Sequence, residues 1–173
     1  MPRVFLTGPR ACGKTSLGKA LAKRLGWTFT DTDEALVARQ AAQISEIVRR
    51  DGWDGFRRHE HDTLSALIRE TASGGHIIAT GGGIVLLKEN RTLLAESGTC
   101  IYLQVPAGEL ALRLQATPLA SQRPSLTGKG LVEEVAQVVS EREPLYLECA
   151  DIILDGTLSQ TDLCSQACRM IMR

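Results

Sequence analysis

The sequence predicts an α/β fold: a parallel sheet held between two layers of helices. Three observations carry this. Five short apolar runs recur along the chain, stretches with helical periodicity separate them, and the first run leads directly into a glycine-rich turn and a helix. Short apolar strands separated by helices are the pattern of a parallel sheet whose two faces are both covered, with right-handed crossovers. The strands are expected at 3–7, 28–30, 76–80, 100–104 and 151–154. The helices are expected at 14–25, 33–40, 44–51, 53–72, 88–97, 106–115, 131–148 and 159–172. No repeat and no linker divides the chain, so 1–173 reads as one domain. One segment breaks the rhythm. Residues 116–130, ATPLASQRPSLTGKG, are rich in Pro, Ser, Thr and Gly, and a long irregular stretch inside a compact domain is a functional loop or a disordered one.

Bulk properties exclude several classes. The chain has 173 residues, with 20 basic and 20 acidic side chains. That balance gives no electrostatic case for nucleic acid and none for a membrane surface. The apolar runs are far shorter than the ~20 residues a membrane span needs. The first residues enter a strand-like run with no signal-like segment, so a soluble cytoplasmic protein is expected. Five cysteines, Cys12, Cys100, Cys149, Cys164 and Cys168, are odd in number and scattered, which argues against a disulfide framework. Cys164 and Cys168 lack the second pair a metal site would require, and His59 and His61 diverge on a helix.

The first chemical signal lies at 8–15. Gly8, Pro9, Arg10, Ala11, Cys12, Gly13, Lys14 and Thr15 match G-x-x-x-x-G-K-[ST] at every fixed position, with a strand before and a helix after. Glycines let the backbone curl so that several N–H groups face one anion, and the helix start adds partial positive charge. In such a loop the lysine reaches the transferred phosphate and the following hydroxyl ligates Mg2+, roles that fall here to Lys14 and Thr15. Ser16 extends the loop into the helix. The expected ligands are therefore a nucleoside triphosphate and Mg2+. The strand at 76–80 ends in Thr80 with no acid, so metal binding would rest on Thr15, phosphate oxygens, water and Asp31.

Asp31 and Asp33 follow the second strand. One of them can cap the next helix. An acid in this place can also hold Mg2+ through water, or take a proton from an attacking hydroxyl. Two arginines stand on apolar stripes. Arg57 shares a helical face with Trp53, Phe56, Glu60 and Leu64, and Arg142 shares one with Val138 and Tyr146. A charge on a buried face needs a partner. That partner is either an internal carboxylate such as Glu60 or Glu143, or an anionic ligand gripped by the arginine fork. Two such residues near a nucleotide site favour a small anionic substrate. Gly81, Gly82 and Gly83 close the third strand and allow close backbone approach to a ligand, unless they form a plain loop. Arg123 lies in the irregular segment, read as a lid at about 114–129 or as a solvated loop.

Taken in order, GPRACGKT at 8–15, DTD at 31–33, GFRR at 55–58, ATGGG at 79–83, RPSLTGK at 123–129 and REPLY at 142–146 resemble the shikimate kinase family. The likeness covers nearly the whole chain. It implies a nucleoside-monophosphate-kinase-like fold of the P-loop type, with a five-stranded sheet in order 2-3-1-4-5. It implies transfer of the ATP γ-phosphoryl group to the 3-hydroxyl of shikimate, on the chorismate route to aromatic amino acids, by a monomer. Carried over by motif, Asp33 contacts the acceptor hydroxyls and is the candidate base. Arg57 and Arg142 grip the carboxylate, Gly81, Gly82 and Gly83 line the acceptor with a backbone donor at Gly82, and the acceptor region spans about 33–60. Arg123 is the lid cation, Asp31 supports Mg2+, and Arg113 and Asp155 are placed at adenine. Two departures stand out: Ala11 occupies a position where these loops often have Gly, and 155–158 lack a proline often found in the adenine loop. A gluconate or nucleoside-monophosphate kinase, and a nucleotide-binding paralogue without catalysis, are the rival readings.

Overall fold

In a computed structural model, residues 2–71, 74–116 and 130–172 are described. Five parallel strands, β1 (Arg3–Thr7), β2 (Thr28–Asp31), β3 (His76–Ala79), β4 (Thr99–Gln104) and β5 (Ile152–Asp155), form one sheet in the order β2-β3-β1-β4-β5. This is the order that the family resemblance implied. The helices are α1 (Lys14–Leu25), α2 (Thr32–Gln40), α3 (Ile44–Glu70), α4 (Lys88–Ser97), α5 (Ala107–Gln115), α6 (Leu131–Cys149) and α7 (Gln160–Ile171). A 3-10 turn, Ile84–Leu86, was not expected from the sequence.

The two faces of the sheet bury different cores. Val4, Leu6, Ile77, Ile101 and Leu103 pack with Leu17 and Leu21 of α1 and with Leu163 and Ala167 of α7. Phe5, Ile78, Cys100 and Tyr102 point the other way, toward Leu64, Leu94 and Tyr146. Alternate residues of β1 thus serve opposite cores, so the run is apolar throughout, as a doubly covered parallel strand must be. Cys164 and Cys168 belong to the first core, and all five cysteines are free and buried.

Helix ends follow local chemistry. Gly26, at φ 66°, closes α1 after Lys23 and Arg24 have placed positive charge in its last turn. Asp31 caps α2 by accepting from the Asp33 N–H. Gln43 and Glu46 form a reciprocal capping box at the start of α3. The expected helices 44–51 and 53–72 are the two halves of α3, broken at Gly52 by φ 71°, ψ 177°. The break lets the first half cover α2, where Leu36, Ile47 and Phe56 form a third, smaller core. Among the described residues no helix is long and apolar enough to cross a membrane.

Candidate active site

All the candidate site residues that are described, apart from Asp155, gather beyond the carboxyl ends of the central strands, where parallel α/β sheets bind ligands. The loop after β1 is held by unusual backbone angles. Gly8 has φ 142°, Gly13 has φ 102°, and Ala11 has φ 64°. A Cβ on Gly8 would lie 2.8 Å from Cys12 Sγ and 2.9 Å from the Leu103 carbonyl oxygen, so the position admits no side chain. The start of α1 has no side-chain cap and no acid in its first turn, which leaves its N–H groups to an incoming anion. The Lys14 ammonium is buried and folded back onto the loop, donating to the Gly8 oxygen at 2.8 Å and the Pro9 oxygen at 2.7 Å.

Ala11 takes the left-handed conformation that disfavours a Cβ by roughly 1–2 kcal/mol. Glycine forfeits part of that gain through the larger entropy of its unfolded chain. Ala11→Gly is therefore expected to raise unfolding stability by about 0.5–1 kcal/mol, read as a higher urea midpoint at unchanged slope. A lower midpoint would show that the alanine is not strained.

The Asp31 carboxylate does two things at once. One oxygen caps α2, and the other accepts from the Thr15 hydroxyl at 2.8 Å. The next residue, Thr32, is buried and accepts from the Gly81 N–H at 2.9 Å, which ties the end of β2 to the glycine triplet.

Each glycine of the triplet faces something different. A Cβ on Gly81 would meet Asp33 Oδ1 at 2.6 Å and Glu60 Oε1 at 3.0 Å. On Gly83 it would overlap the Arg57 guanidinium at 2.1 Å. On Gly82 it would rest in ordinary contact with the phosphate-loop backbone, 3.4 Å from the Arg10 nitrogen. At Gly81 and Gly83 the need is for space, since none of the three has a positive φ.

Arg57 takes the internal carboxylate that its position allowed, and it also faces a cavity. It forms a buried ion pair with Glu60, and it also lines a pocket of about 470 Å³ together with Asp33, Arg142 and the three glycines. Its charge lies against the Trp53 and Phe56 rings, 5.4 and 5.2 Å from their centroids. Arg142 lines the same pocket and donates to the Gly82 oxygen at 3.2 Å. Glu143 is not its partner; that carboxylate accepts from Gln104 at 2.8 Å and Tyr102 at 3.3 Å. Tyr146 also donates to the Gly82 oxygen. Burial pushes its phenol well above the ordinary range, so it stays a neutral donor. Burial likewise raises the Glu60 carboxyl from 4.5 to about 7, against the pull of Arg57 and with the push of Asp33.

A second pocket, of about 800 Å³, is lined by Lys14, Thr15, Ser16, Asp31, Ala11, Gly13 and Arg113. Arg10, Asp33 and Gly82 line both pockets. Arg113 donates to the Ala11 oxygen at 3.4 Å and the Gly156 oxygen at 3.0 Å, joining the phosphate loop to the turn after β5. Asp155 is placed apart from the phosphate pocket. Its carboxylate accepts from the Thr157 N–H and hydroxyl, which lower its pKa, and it lines a groove with Gln104 and Glu143. Arg123 and the lid at 117–129 lie outside the described residues.

Sequence reasoning gave Glu60 only as a partner for Arg57, and Trp53, Phe56 and Tyr146 only as apolar-stripe residues. The signal available for them was an aromatic ring four residues from each arginine on its helix, Trp53 before Arg57 and Tyr146 after Arg142. Arg10 was expected only within the phosphate loop, and its place on the wall of the first pocket as well was not.

The family model for shikimate kinase matches residues 10–172. Shikimate kinase 2 of Dickeya chrysanthemi is 46% identical over 154 residues, 89% of this chain and 87% of that protein. A shikimate kinase of Nitratidesulfovibrio vulgaris is 48% identical over 155 residues, 89% and 86% of the two chains. Among solved structures, shikimate kinase from Acinetobacter baumannii in complex with shikimate superposes with a TM-score of 0.89 at 31% identity, covering 99% of this chain and 93% of that one. With a matching family model along almost its whole length, the chain belongs to the shikimate kinase family.

Proposed function

We propose that the two adjoining pockets are the donor and acceptor halves of one site, and that Asp33, at their common wall, addresses the attacking hydroxyl. The activity is ATP-dependent phosphorylation of the 3-hydroxyl of shikimate, giving shikimate 3-phosphate and ADP on the chorismate route. The observation that supports the division of labour is the shared wall of Arg10, Asp33 and Gly82. Arg57 and Arg142 hold the acceptor carboxylate, which aims a hydroxyl at the opposite end of the molecule toward the phosphate loop. Asp33 accepts a hydrogen bond from that hydroxyl and takes its proton as the oxygen–phosphorus bond forms. The transfer is in line and needs no covalent enzyme intermediate. Lys14 leaves the loop carbonyls for the transferring phosphoryl group, and Arg123 brings a further cation from the lid.

Thr15 and Asp31 offer a hydroxyl and a carboxylate, hard oxygen donors that suit Mg2+ and leave it most of its water shell. They would hold the ion that accompanies ATP. Bound there, Mg2+ neutralises charge on the β- and γ-phosphates. A monomer in the cytoplasm suffices, because both halves of the site are built by one chain and neither nucleic acid nor membrane is required.

The test is ADP release by the purified protein with shikimate, gluconate and nucleoside monophosphates in turn. ADP release is expected with shikimate and only background release with the others. Faster turnover of gluconate or a monophosphate would overturn the acceptor assignment.

A further inference from the structure

Glu60 is the buried acid of the acceptor pocket to which the transfer assigns no role. It is 4% exposed and paired with Arg57. Arg57 rests on two aromatic rings and fills the space beside Gly83, so it has little freedom to leave Glu60. A ligand carboxylate must therefore share the guanidinium with a carboxylate already on it. The charged groups facing Glu60 are Arg57 on its own helix, Asp33 from α2, Arg142 from α6 and Arg10 from the phosphate loop. Asp33 and Glu60 approach each other across Gly81, where both carboxylates reach the volume that one Cβ would occupy.

Resting on the functional reading above, we propose that acceptor binding is coupled to proton uptake at Glu60: one proton from solvent joins a Glu60 carboxylate oxygen as the ligand carboxylate enters between Arg57 and Arg142, and returns to solvent when product leaves. The entering anion takes over part of the Arg57 charge and adds a repulsion of its own, and both effects favour the neutral acid. As an acid, Glu60 no longer competes for the guanidinium, and its hydroxyl becomes a donor to the ligand or to Asp33. The carboxyl already stands near 7 before ligand enters, raised mainly by burial, so it is poised where a small push moves a large fraction of a proton. The sign follows. The protonated form binds, so the shikimate KM rises with pH above about 7, approaching tenfold per pH unit.

The experiment is titration calorimetry of shikimate binding near pH 7.5 in buffers of differing ionisation enthalpy. The ligand is fully ionised there and brings no proton. Uptake of about three-quarters of a proton per shikimate is expected, with none in Glu60→Gln and none for shikimate methyl ester, which carries no charge. Equal heats in all buffers would overturn the proposal, as would undiminished uptake in Glu60→Gln, which would assign the proton elsewhere. If that variant does not fold, the ester decides alone: uptake equal to that of the acid would overturn the coupling. Binding without proton uptake leaves the kinase reading intact, whereas absence of shikimate binding sinks both.

Discussion

Lys14→Ala is expected to lower kcat by about 10³-fold or more while leaving the shikimate KM within about threefold. The ammonium is buried at the loop and lines the phosphate pocket, but it is absent from the wall of the acceptor pocket. Its present partners are two backbone carbonyls and the Cys12 sulfur, all uncharged acceptors. A triphosphate offers a charged acceptor instead, and an ammonium binds an anionic oxygen more strongly than a neutral one. The lysine therefore moves to the nucleotide, and its charge counts most where charge develops during transfer. Steady-state ADP formation at saturating substrates measures this. A kcat within tenfold of the parent chain would refute the role.

Arg57→Ala is expected to raise the shikimate KM by about 10²-fold, corresponding to roughly 3 kcal/mol, with the ATP KM nearly unchanged. Arg57 lines the acceptor pocket and is absent from the phosphate pocket. Removing it deletes one arm of the carboxylate clamp and leaves Glu60 buried without its ion-pair partner. Glu60 can answer by taking up a proton, which limits the damage to the free protein but does not restore the clamp. Lysine at this place is not conservative, because a point charge lacks the planar fork and packs poorly between Trp53 and Phe56. An unchanged shikimate KM in Arg57→Ala would remove the clamp.

The inner strands β1, β3 and β4 were legible as short bounded runs with an apolar, fully buried centre, whereas the edge strand β2, Thr28–Asp31, is partly polar and only partly buried. Strand order was another matter. Nothing in the runs themselves ranks them, and the order came from the family resemblance. The break in α3 was legible as two helices because Gly52 interrupts the periodicity, although the two halves follow each other with no loop between them. Arg57 and Arg142 were visible as charges on apolar stripes, but the choice between ion pair and ligand was not, since each stripe fixes a direction and leaves the partner open. The glycine triplet was recognisable as a place of close approach. What approaches it was hidden, because Asp33, Glu60 and Arg57 reach Gly81 and Gly83 from helices α2 and α3, between 21 and 48 residues earlier in the chain. Asp155 was placed at adenine by position after the last strand, yet its carboxylate is committed to a local turn with Thr157.

The thin partition between the two pockets has a consequence for inhibition. At Gly82 it consists of main chain, whose carbonyl is held by Arg142 and Tyr146. One molecule carrying a carboxylate ring at one end and a polyphosphate at the other can occupy both halves together. Such a bisubstrate ligand loses its rigid-body freedom once, and its second end binds at high effective concentration. Resistance by mutation would be hard to reach beside that junction, because a side chain at Gly81 or Gly83 would overlap Asp33 or the Arg57 guanidinium, which the chain needs for its own acceptor.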